Sequence, residues 1–142
     1  MMLSSLSKYA DFGLLIVRVV FGCMFIYYGA PKLFAGPPMW AQLGQAMGSL
    51  HINFAPQFWG FMAAFSMFFG GICLILGIFS RIACLFLFIT MVVAVSMHFH
   101  KGDGLMVASH AIEDGVVFLS LIFLGPGKYS LDAWLSSIMK LR

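Results

Sequence analysis

The chain has 142 residues, of which 62% are hydrophobic and 9% charged, with a formal net charge of +3. That length gives room for one domain, and a charged share far below the roughly 25% of soluble domains excludes an ordinary water-soluble globule. A disordered tail, a disulfide framework and an electrostatic nucleic-acid binder are excluded too, because they need high polarity, dense cysteine or a basic face. The expected partner is the lipid bilayer, with no nucleic acid.

A bilayer core about 30 Å thick takes about 20 apolar helical residues. Four runs qualify, at about 12–34, 58–79, 82–99 and 105–124. β-Barrel strands would alternate in polarity over about ten residues, whereas these runs are continuous and about twice as long. The fold class is therefore all-α: an integral membrane four-helix bundle forming one domain over residues 1–142. The first run is too long for the apolar core of a signal peptide, is interrupted by Arg18, and ends in Tyr28-Gly29-Ala30-Pro31, which lacks a small-x-small cleavage pattern. It is expected to stay in the mature protein.

Within the first span, Arg18, Gly22, Phe25, Gly29 and Lys32 recur at helical spacing. Helices in lipid associate through small residues and polar groups, so this stripe is expected to face other helices. After Gly36-Pro37-Pro38, residues Trp40, Leu43, Met47 and Leu50 suggest a short helix in the outer interface. The second span carries a similar stripe: Ala63, Met67, Gly70, Leu74, Gly77 and Arg81. Gly22 and Gly29 are seven apart, as are Gly70 and Gly77; both pairs read as close-packing positions. Cys23, Cys73 and Cys84 form no C-x-x-C pair and read as packing residues, and the eleven methionines are dispersed gap fillers.

His98 and His100 end the third span, before the tight turn Lys101-Gly102-Asp103-Gly104. In the fourth span, His110, Glu113 and Asp114 fall at i, i+3 and i+4. Ionisable groups in a membrane usually face the bundle interior, so these residues are expected to converge with Lys32 in the outer half of the bundle. Three chemistries fit such a set. The first is a structural ion pair of Glu113 with Lys32 or His110. The second is a quinone site, in which Glu113, His110, Asp114 and Lys32 exchange protons and His98 and His100 help hold the ligand. The third is a metal centre, its metal unknown. Here His98 and His100 diverge by about 200° on a continuous helix and act together only if the helix has ended.

Gly125-Pro126-Gly127 stops the fourth span, and Ser130 is placed to cap an amphipathic C-terminal helix presenting Leu131, Trp134, Leu135 and Ile138. Asp132 then returns to the inner helix ends, where it is expected to form an ion pair with Arg18; the alternative is that Arg18 holds a substrate or a lipid headgroup. Lys8, Arg18, Arg81, Lys128, Lys140 and Arg142 fall on one side of the membrane, against Lys32 and Lys101 on the other. The positive-inside rule then makes both termini cytoplasmic.

These residues together resemble the DoxX family. The likeness is carried by Arg18-x-x-x-Gly22, Gly29-x-x-Lys32-Leu33-Phe34, Gly70-Gly71 through Leu74 to Gly77 and Ser80-Arg81, Glu113, and Gly125-Pro126-Gly127-Lys128-Tyr129-Ser130-Leu131-Asp132. It implies a four-helix bacterial inner-membrane protein akin to the membrane subunit of thiosulfate:quinone oxidoreductase, with a redox protein partner in thiol-redox or superoxide-detoxifying assemblies. Many members carry a Glu just ahead of the glycine pair in the second span, where this chain has Met67. The expected function is thus a subunit of a quinone-linked redox or oxidative-stress assembly. The alternatives are a small-molecule transporter and a non-catalytic scaffold.

Overall fold

The computed structural model describes residues 3–141. Arg142, one of the positive residues counted above, lies outside them. A 3-10 segment, Leu3–Tyr9, leads into α1 (Ala10–Phe34), and α2 (Pro37–Gly44) is followed by a second 3-10 segment, Gln45–Leu50. Then come α3 (Pro56–Leu76), α4 (Ser80–Lys101), α5 (Leu105–Leu124) and α6 (Leu131–Lys140). Among the described residues, α1 with its leading segment, α3, α4 and α5 are the four helices long and apolar enough to cross a membrane. The expected outer interfacial helix and C-terminal helix are α2 and α6.

Small residues set the tightest crossing. A Cβ on Gly22 would lie 2.6 Å from the Gly71 carbonyl oxygen, and one on Gly71 would lie 2.6 Å from the Gly22 carbonyl oxygen. The two glycines thus bring the backbones of α1 and α3 into contact, with dispersion doing the work that the hydrophobic effect does in water. Gly29 continues the seam against Met67 and Phe68. Gly70, expected on this seam, faces Leu87 of α4 instead. One residue is about 100° of helix, which separates the neighbouring glycines onto two interfaces.

α5 packs on α4 through Ala108, Ala111 and Gly115, all buried. Gly115 meets Met91 and Phe88. Phe118, fully buried, bridges to α1 by edge-on contacts with Phe21 and Phe25, at 5.9 and 4.9 Å between ring centres. The core is completed by Met67, Leu74, Cys84, Leu87 and Leu121. At the end far from α6, α2 lies across α3, where Gly44 and Gly60 admit the backbones of Pro56 and Trp40, and the Trp40 indole donates to the Leu33 carbonyl at 3.2 Å.

Candidate functional site

Ionisable groups are distributed over three places. The first is the end carrying α6. Arg18, 1% exposed, donates from Nε to the Leu74 carbonyl at 3.0 Å and from Nη2 to Ile75 at 3.2 Å. Its Nη1 donates to the carbonyls of Pro126 at 2.6 Å and Tyr129 at 2.9 Å. The last carbonyls of a helix lack intrahelical partners and carry the negative end of its dipole, and a guanidinium fork satisfies several of them. One side chain thereby fastens α1 to the end of α3 and to the turn after α5.

The expected Arg18–Asp132 ion pair does not form. Asp132 instead accepts from the backbone N–H groups of Phe79 at 3.2 Å and Ser80 at 3.4 Å, capping α4, while its own N–H donates to the Gly77 carbonyl at 3.0 Å. The physical reason is that each charged group finds the helix end of complementary polarity: the cation takes the C-terminus of α3 and the anion the N-terminus of α4. Ser130 caps α6 as its sequence suggested, its Oγ accepting from the Ala133 N–H at 3.1 Å and donating to Gly127 O at 2.7 Å. Asp11 accepts from the Lys128 N–H at 3.2 Å, adding another tie from α1 to the same turn.

The second place is the opposite end. Lys32 reaches α3, where its Nζ stands 3.9 Å from Met67 Sδ, and makes no ion pair among the described residues. It points at Met67 and not at Glu113. His98 Nδ1 lies 2.8 Å from Asp103 Oδ2. α4 runs through Lys101, so the helix has not ended at His98 or His100 and the two rings diverge; His100 is exposed and makes no side-chain hydrogen bond among the described residues. Among the described residues, no group of three or more His, Cys, Asp or Glu side chains comes together to hold a metal ion.

The third place is α5. The small residues Ala108, Ala111 and Gly115 occupy its inward face, so Glu113, two residues or about 200° from Ala111, points away from the bundle. Glu113 and His110 are exposed and Asp114 is half-buried on the flank between. None of the three hydrogen-bonds to Lys32, His98 or His100. The expected convergence inside the bundle is therefore replaced by an outward-facing acidic and imidazole stripe about midway along α5, bordered by Ser109 and Val116.

Sequence reasoning missed the burial of Ser80 and Ser66 and the role of Gly71. The adjacent pair Gly70-Gly71 carried the signal for Gly71, since two neighbouring glycines serve two helix faces. The model of one protein family, DoxX, matches residues 13–101. Neither a curated protein nor a solved structure matches the chain.

Proposed function

The chain belongs to the DoxX family, and on that premise we propose that it is an inner-membrane subunit of a quinone-linked redox or oxidative-stress assembly. The observation supporting this reading is the exposure of Glu113 midway along α5, beside His110 and Asp114. A carboxyl group facing hydrocarbon without a counter-charge is costly, so such residues belong to substrate or proton pathways or to interfaces. Quinones diffuse in that same hydrocarbon layer. Reduction of a quinone to a quinol consumes two electrons and two protons. In this proposal the electrons come from a redox partner protein, and this chain supplies hydrogen bonds and protons.

The residues fit that division of labour. The Glu113 carboxyl and the His110 ring are both protonatable and stand one helical turn apart, so either holds a proton toward a carbonyl oxygen at the surface of α5. Asp114, half-buried beside them, relays protons to His110. Lys32, His98 and His100 lie outside this set.

The test is Glu113→Gln, which keeps shape and most hydrogen bonding while abolishing proton exchange. In membranes also containing the redox partner, quinone reduction by the variant is expected to fall by about 10²-fold or more, the contribution typical of a general acid. A normally folded variant with full activity would leave the bundle as a scaffold or transporter.

The proposed orientation places both termini in the cytoplasm. Lys8, Arg18, Arg81 and Lys128 gather at the α6 end, and Lys32 and Lys101 at the other. A reporter active only outside the cytoplasm, fused after residue 142, stays silent in this arrangement; strong activity reverses it.

A further inference from the structure

Two hollows lie end to end where α3, α4 and α6 meet. One, of about 430 Å³, opens at the α6 end, with Ser80, Arg81, Gly127, Asp132 and Ser136 in its wall. The other, of about 190 Å³, runs along α3 and α4 between apolar side chains that include Phe65, Phe69 and Phe86. Phe79 and Ile82 belong to the walls of both. A hollow with several polar groups in a largely apolar wall, at the end of the spans, thus adjoins an apolar groove along them.

The polar groups in the wall of the larger hollow suit an anion. Arg81 makes no hydrogen bond or ion pair among the described residues, and its guanidinium rests against the turn, with Nη2 3.0 Å from where a Cβ on Gly125 would stand. Ser80 is 3% exposed, and its Oγ is buried without a hydrogen-bond partner. Buried hydroxyl groups ordinarily find partners, so this one is an unsatisfied donor, its oxygen closed to the hollow. The Ser136 hydroxyl, exposed on α6, is also unengaged. Asp132 is the carboxylate in this wall, and its two oxygens already receive the N–H groups of Phe79 and Ser80.

We propose that the composite groove binds one anionic phospholipid. Arg81 and Ser136 hold the phosphate with Ser80 behind them, and one acyl chain lies along Phe65, Phe69 and Phe86. Arg81 is the second residue of α4, at the end of a span, which is the level at which phosphates lie and long basic side chains reach toward headgroups. A free anion would use only the larger hollow, and a lipid without a phosphate only the apolar groove. An anionic lipid uses both.

The full chain, purified in mild detergent, is titrated with phosphatidylglycerol, with diacylglycerol of the same chains, and with inorganic phosphate. Bound lipid is counted by native mass spectrometry, and the thermal midpoint is followed in parallel. Expected are one retained phosphatidylglycerol, a saturable rise in midpoint with that lipid, and at least about ten-fold weaker binding of diacylglycerol, as the loss of the phosphate contact to Arg81 implies. Arg81→Gln raises the half-saturating phosphatidylglycerol concentration about ten-fold, whereas Lys140→Gln, the same charge loss outside the groove, changes it less than two-fold. Equal binding of the two lipids overturns the proposal. Equal weakening by both substitutions, or full protection by inorganic phosphate, overturns it as well. If Arg81→Gln does not fold, Ser136→Asp, which places a negative charge at the mouth, is expected to weaken binding to the same degree, and unchanged binding there refutes the site.

Discussion

Replacing Arg18 by Met removes four hydrogen bonds while keeping most of the side-chain volume. The carbonyls of Leu74, Ile75, Pro126 and Tyr129 lose their donor together. Hydrogen bonds from a charged donor each contribute about 1.5 to 3 kcal/mol net, and those sharing one side chain do not add. Three of these bonds are only part-buried, so water recovers part of the loss. A cost of about 3 to 5 kcal/mol is expected, a large part of the stability of a small domain. Arg18→Lys keeps the charge but not the fork, so it is expected to recover less than half of that loss. Asp132→Asn is the contrasting change. Its remaining carbonyl oxygen still accepts from Phe79 or Ser80, so about 1 kcal/mol or less is expected, within the range of a helix cap. Unfolding of the purified variants in mixed micelles, by titration with a denaturing detergent and circular dichroism, measures all three. Arg18→Met within about 1 kcal/mol of the parent would refute the clasp, and Asp132→Asn as costly as Arg18→Met would restore a direct ion pair.

Gly77 ends α3 at a φ of +70°, and a Cβ there would collide with Ser130 and with Arg18. Gly77→Ala is therefore expected to cost about 2 to 4 kcal/mol in the same unfolding assay, from backbone strain plus displacement of the clasp, while Gly13→Ala, with nothing within 4 Å of its Cβ, costs nothing. Met67→Glu places a carboxyl group where Lys32 Nζ already points, so the variant is expected to unfold less readily than Met67→Gln by about 1 to 3 kcal/mol. That margin should vanish in a Lys32→Met background; its persistence would show that Lys32 is not the partner.

The bundle was legible because membrane insertion imposes long apolar runs, and these gave the spans, the interfacial α2 and the Ser130 cap of α6. The end of α3 was harder to place. Gly77-Ile78-Phe79 is as apolar as the helix before it, and only the left-handed backbone at Gly77 and Phe79 marks the turn. The pairing of Arg18 was missed because its acceptors are backbone carbonyls, which carry no sequence signature, whereas Asp132 is conspicuous. For Glu113, helical spacing placed it with His110 and Asp114, but the direction of that face depended on which side of α5 α4 would take. Ala108, Ala111 and Gly115 held that information, as small residues admit a neighbouring helix.

The central claim is that the outward face of α5 meets a quinone. Photo-crosslinking with a diazirine-bearing short-chain quinone, in membranes containing the chain, followed by peptide mapping, tests it most directly. The expected result is saturable labelling within about one helical turn of Glu113, displaced by excess unlabelled quinone and reduced at least several-fold in Glu113→Gln. Saturable labelling along Phe65 and Phe86 instead, or equal labelling of parent and variant at α5, would contradict it.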